Sequence, residues 1–210
     1  MAANYDKFKE FKIEKKDYVL AMTVLRPFTY TTIGELKELY QLIGEDNDVR
    51  AVIFAGSGSD FSQPIGNAVL HPTGKDHPLK NFELAGKSIT GGAAYHMSVL
   101  KLLLEVPQPV VAAVHGRCTG LATTLVLHSD VIIAADNAQI SDPHIQSGMV
   151  PGDGGIVIWP LLIGPNRAKE YLMTGDALSA AEAERIGLVN RVVPAAQLTE
   201  AAWTMARKLA

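Results

Sequence analysis

Two short apolar runs, VVAAV at 110–114 and VIIAA at 131–135, set the strongest limit on how this chain folds. Each is rich in β-branched residues and bounded by Pro109, Gly116, Asp130 or Asp136, the pattern of buried strands. Between them, residues 120–128 have room for a short helix opened by Gly120. A glycine opening a helix directly after a buried strand aims free backbone N–H groups, and the positive end of the helix dipole, at whatever lies above the strand. The stretch is therefore an anion or oxyanion site in outline. Two polar loops follow, Asp142-Pro143-His144 and Asp153 within Pro151-Gly152-Asp153-Gly154-Gly155. Their prolines and glycines fix the backbone, so each polar side chain is held in place.

The rest of the chain alternates strand and helix patterns. A strand is expected over 18–25. A capping box, Thr32 with Glu35, then opens a helix carrying Ile33, Leu36, Leu39, Tyr40 and Ile43, stopped by Gly44. A third buried strand at 51–55 ends in Gly56-Ser57-Gly58-Ser59; no Gly-Lys-Ser/Thr follows, so this is a strand-to-loop turn rather than a phosphate loop. Residues 57–81 read as a long loop, and 82–105 as a helical pattern with Leu84, Tyr95, Val99, Leu102 and Leu103. Beyond the centre, an apolar run at 156–163, a helix at 166–173, a second capping box (Ser179 with Glu182), a strand at 188–193 and an amphipathic helix at 195–209 are expected. The apolar side of that last helix would carry Leu198, Trp203 and Leu209. Such alternation predicts an α/β fold with mostly parallel pairing.

Composition excludes several classes. With 19 basic and 22 acidic residues and a net charge of -3, there is no bias toward nucleic acid or an anionic membrane. The lysine-rich start at 7–16 is interleaved with acids and reads as a solvated face. Cys118 is the only cysteine, which leaves no disulfide framework or cysteine zinc site. His71, Asp76 and His77 share no fixed spacing on one element, so no metal is expected. The longest apolar stretch is cut by His128, Ser129 and Asp130, no signal peptide is recognisable, and a cytoplasmic setting is the expectation.

The runs VVAAVHGRCTGLATTL, SDVIIAADNAQI, GMVPGDGG and AKEYLMTGDALSAAEAERIGLVNRVV, with the earlier DVRAVIFAGSGSDFS, resemble the crotonase superfamily, the enoyl-CoA hydratase/isomerase family. The resemblance spans nearly the whole chain. It implies a spiral of repeated ββα units over 1–193, with 194–210 beginning a C-terminal helical region that stops short of the family's usual length. It also implies a homotrimer or hexamer, a small-molecule substrate, and an enolate-like anion held by two backbone N–H groups. Those groups fall at Ile65 and Leu121, with Gly120, Thr124 and Gly152 beside the substrate. No cofactor is implied beyond a coenzyme A moiety on the substrate, although Pro64 stands where the family has glycine.

The two glutamates of the family's hydratases correspond to Thr124 and His144. Threonine is no acid or base at neutral pH. Histidine is competent near pH 7, and a neighbouring carboxylate fixes its tautomer. The spacing PHxxxGxVPGDG, with His144 and Asp153, resembles the β-diketone hydrolase branch (oxo-camphor hydrolase-like). The resemblance therefore implies hydrolysis of a carbon–carbon bond by a His-Asp pair, with acyl-CoA hydratase/isomerase chemistry or a non-catalytic role as alternatives. Simpler readings stand beside these. Asp153 would cap the following helix, His144 would be a backbone-bonded loop histidine, and Asp142 a turn residue. His115 would be structural, and His96 and His128 packing or helix-surface residues.

Overall fold

The computed structural model describes residues 3–62, 98 and 100–210. β1 (Phe11–Lys16) and β2 (Val19–Val24) form an antiparallel hairpin whose turn residues, Asp17 and Tyr18, have φ of 54° and 62°, as the turns that match strand twist require. β3 (Ala51–Gly56), β4 (Val110–Val114), β6 (Val131–Ala135) and β9 (Arg191–Val193) then add in parallel, giving the order β1-β2-β3-β4-β6-β9. A smaller sheet, β5-β7-β8, joins Arg117–Thr119, Gln139–Ser141 and Leu178–Ser179. The described helices are α1 (Tyr30–Glu45), α2 (Leu121–Leu127), α3 (Gly155–Ile163), α4 (Pro165–Thr174), α5 (Ala180–Arg185) and α6 (Leu198–Leu209).

Alternation along the strands explains why the apolar runs are continuous. Leu20, Met22, Val52, Phe54, Val110, Ala112, Ile132 and Ala134 face the core under α1, whereas Val19, Ala21, Ala51, Ile53, Val111, Ala113 and Ile133 face the opposite side under α6. A sheet buried on both faces needs apolar residues at every position, and β4 is buried throughout.

Four expectations are corrected. First, the charged segment at 7–16 contains a strand: β1 buries only Phe11 fully, so its place comes from pairing with β2 rather than from burial. Second, α1 is capped by Thr29, whose side chain accepts from Thr32 N–H. The Thr32 hydroxyl instead donates to Pro27 O at 2.7 Å, and Glu35 accepts from Lys9 N–H and Glu10 N–H. Third, α6 buries Leu198, Ala202 and Ala206, one turn apart, and leaves Leu209 40% exposed. Fourth, the strand expected over 188–193 is confined to Arg191–Val193. Ser179 caps α5 as expected, accepting from Glu182 N–H. Residues 100–105 are helical, and the other residues of the pattern expected there, apart from Ser98, lie outside the described set.

The segment after β3 is fastened to β5. Phe61 N–H donates to His115 O at 2.9 Å and Ser62 N–H to Arg117 O at 3.0 Å, while Arg117 pairs with Asp60 at 3.1 Å. Hydrogen bonds from Arg117 hold the Asp60 carboxyl down at about 2. Gly116 makes this approach possible: a Cβ there would lie 2.1 Å from Ser59 O, and its φ is 53°.

Candidate active site

The small sheet brings the two halves of the site together. β5 and β7 run parallel with Thr119 opposite Ser141, so the residues following each strand, Gly120 and Asp142, emerge side by side. Gly120 N–H donates to Ser141 O at 3.2 Å. The Thr123 hydroxyl lies 2.7 Å from Cys118 O and 2.9 Å from Ser141 O, locking α2 to both strands. Gly120 has φ 60° and ψ −129°, a conformation that disfavours a side chain. The N–H groups of Leu121, Ala122 and Thr123 have no backbone acceptor among the described residues, as the first turn of a helix requires.

From Ser141 the chain enters a 3-10 turn, Pro143–Ser147, capped by Asp142. Proline fixes the first position of the turn, and the Asp142 carboxylate folds back to accept from the His144 backbone N–H and from His144 Nδ1. A carboxylate only accepts here, so Nδ1 carries the proton. The ring stands beside the start of α2, with Cε1 3.9 Å from where a Gly120 Cβ would lie.

Asp153 comes from the other side, just before α3. Its Oδ1 accepts from the Thr124 hydroxyl at 3.1 Å and from Gly155 N–H at 3.4 Å, and its Oδ2 lies 3.7 Å from His144 Nε2. The glycine pair permits this close packing. A Cβ on Gly155 would lie 2.4 Å from Asp142 Oδ2, and one on Gly154 2.4 Å from Leu100 Cδ1.

The structure brings His144 and Asp153 together as an ion-pair contact at 3.7 Å, and adds a second carboxylate, on Nδ1. The carboxylate on the ring's Nδ1 is Asp142, read from sequence as a turn residue only, while Asp153 faces the other nitrogen beyond hydrogen-bond reach. Asp142 is both turn and partner, because a side chain two residues before the histidine in a capped 3-10 turn lies against its ring. Asp142 is fully buried as a side chain, Asp153 nearly so, and His144 is 21% exposed. Burial works against the His144 cation, but its hydrogen bond to the Asp142 carboxylate and the charges of Asp153 and Asp142 outweigh it, so its pKa is raised.

Thr124 is buried and committed to Asp153. Gly152 is exposed, its N–H donating to Val150 O. Ile65, with Pro64, His71, Asp76, His77 and His96, lies outside the described residues. His115 Nε2 donates to Gly58 O at 3.1 Å, and His128 Nδ1 to Thr124 O at 2.7 Å, both structural roles. Burial pushes the Cys118 thiol up to about 12, which leaves it inert. A separate groove of about 390 Å³ between α6 and the outer sheet face is lined by Lys12, His115 and Trp203, and not by Gly120, Thr124, Asp142, His144 or Asp153. No described helix is long and apolar enough to cross a membrane.

The family model described as enoyl-CoA hydratase/isomerase matches residues 14–210. A probable mitochondrial enoyl-CoA hydratase of Dictyostelium discoideum is 34% identical, over 97% of this chain and 72% of its own length. A crotonyl-CoA hydratase of Syntrophomonas wolfei is 32% identical, over 91% and 72%. The crystal structure of an enoyl-CoA hydratase from Bacillus anthracis superposes with a TM-score of 0.82 at 29% identity, covering 96% of this chain and 76% of that one.

Proposed function

Because the chain belongs to the enoyl-CoA hydratase/isomerase family, with its α/β crotonase-type fold, we propose that it acts on an acyl-CoA thioester, adding water to or moving a double bond beside the carbonyl. The relatives named above are hydratases, which favours this reading over carbon–carbon hydrolysis. His144 takes the place of one family glutamate. The observation that carries its role is its setting: Nδ1 is held by Asp142, Nε2 faces Asp153 at 3.7 Å, and the ring stands at the start of α2. Neutral His144, its Nδ1 proton hydrogen-bonded to Asp142, takes a proton at Nε2 from the water that adds to the double bond, and the imidazolium so formed, which the neighbouring carboxylates favour, then donates that proton to the enolate carbon. Leu121 N–H supports the thioester oxygen as charge develops there, and Ile65 N–H is the partner donor. Removing one such donor costs about 3 to 4 kcal/mol in barrier. Gly120, Thr124 and Gly152 belong to the surroundings of the substrate, and no cofactor beyond its coenzyme A moiety is invoked. A homotrimer or hexamer belongs to the same reading; the exposed Ile156, Val157 and Leu161 of α3 give such an assembly apolar surface to cover.

The test is saturable binding of coenzyme A together with turnover of a short enoyl-CoA, followed as loss of the conjugated thioester. Both are expected in the wild-type chain. A chain that ignores acyl-CoA but hydrolyses a β-diketone would move the assignment to a second reading, carbon–carbon hydrolysis, which the carboxylate-held histidine also supports because it can activate water.

A further inference from the structure

We propose that the Asp142, His144 and Asp153 cluster binds one divalent transition-metal cation, with His144 Nε2 and Asp153 Oδ2 as its protein ligands and Asp142 orienting the ring. The proposal does not rest on the reading above: an ion would occupy the Nε2 lone pair that proton transfer uses, so the metal-bound and proton-transferring forms are alternative states of the same cluster. One candidate ligand atom from each of the three residues lies within 4.8 Å of the others.

A second observation points to a ligand. The Oδ2 atoms of Asp142 and Asp153 are buried and have no hydrogen-bond partner, on side chains 0% and 4% exposed. Buried carboxylate oxygens are costly unless something satisfies them. The Asp153 oxygen is aimed at His144 Nε2, and a cation between the two would satisfy it.

The geometry is close to what one ion needs. Ligand atoms held at about 2.1 Å from an ion stand about 3.0 Å apart in an octahedral site and about 3.4 Å apart in a tetrahedral one. The observed separation is 3.7 Å, so the His144 ring must move about 0.3 Å for a tetrahedral ion and about 0.7 Å for an octahedral one. Asp142 on Nδ1 supplies the arrangement that orients a metal-binding imidazole: it fixes the proton on Nδ1 and leaves the Nε2 lone pair toward the ion. Two carboxylates and a neutral imidazole carry two negative charges, which a divalent cation offsets. A mixed nitrogen and oxygen donor set favours Zn²⁺, Co²⁺ or Mn²⁺ over Ca²⁺.

The experiment is titration of the full chain with Co²⁺ alone, read by visible absorption, calorimetry and the imidazole proton resonances. Expected are one Co²⁺ per chain and a shift of the His144 signals, with those of His115 and His128 unmoved. Asp153→Asn should weaken binding at least about tenfold, and Asp142→Asn about 10- to 100-fold, the usual loss when the partner of a metal-bound histidine is removed. Absence of saturable binding, wild-type His144 signals that do not respond, or equal affinity in Asp153→Asn would each overturn the proposal. The resonance measurement uses the wild-type chain, so a misfolded variant does not obscure the result. No substrate is added, so failure here is separate from failure of the acyl-CoA reading.

Discussion

Two histidines flank α2: His144 beside its first turn, and His128 as its C-cap. Both are partly buried, and both donate an Nδ1 proton. His128 gives its proton to Thr124 O, a neutral carbonyl of its own helix, at 2.7 Å. His144 gives its proton to the buried Asp142 carboxylate and has a second carboxylate beyond Nε2. The residue type is the same; what differs is the charge of the partner, a neutral carbonyl for His128 and a carboxylate for His144.

The sharpest way to break this comparison is to substitute both. His144→Gln should lower turnover by about 10²- to 10⁴-fold, the usual contribution of a positioned acid or base, while His128→Gln stays near wild type in the same assay. Equal losses would mean that the two histidines play the same structural part. The next effect is on stability, and it tests how tightly the His144 side is built. Gly155→Ala would push a methyl to 2.4 Å from Asp142 Oδ2 and 2.9 Å from Pro151 Cβ. Such overpacking should cost about 1–3 kcal/mol in denaturant unfolding. Gly148→Ala, with φ of 69° but nothing within 4 Å of the added carbon, should cost only the backbone strain, about 1–2 kcal/mol.

The smallest effect concerns a carboxylate whose partner is a permanent cation. Asp60 has its pKa lowered from 3.8 to about 2 by Arg117. A depressed folded-state pKa adds stability above the unfolded value and loses it as pH falls through the folded one. Wild type should therefore lose its margin over Asp60→Asn between about pH 4 and pH 2. The pair is largely exposed on the arginine side, so the margin is small. A margin independent of pH would remove the ion pair from the account.

What was legible in the sequence follows from where each signal is local. β4 and β6 were readable because burial on both faces makes their apolar runs continuous. The turn at Gly120 was readable because one glycine both ends a strand segment and opens a helix. β1 was not, since pairing with β2 rather than apolar content holds it in place. The small sheet was hidden too: strands of three, three and two residues are too short to show a period of two. Of the site residues, His144 and Asp153 stood out as rigid loop-borne groups. The role of Asp142 required three-dimensional knowledge, because only the capped 3-10 turn lays its carboxylate against the ring. Thr124 presented itself as a missing glutamate; its hydroxyl in fact anchors Asp153.

Gly120, Thr124, Asp142, His144, Asp153 and Gly155 all fall within residues 120–155, and among sheet strands that interval contains only β6 and β7. The registers linking β1, β2, β3 and β4 lie outside it. The side chains gathered around His144 thus come from one short stretch of the chain, and most of the sheet from elsewhere. Within that stretch the main sheet is represented by one strand, β6, which pairs with β4 on one side and β9 on the other, so side chains around His144 can change without touching the hairpin or the β2–β3 and β3–β4 registers.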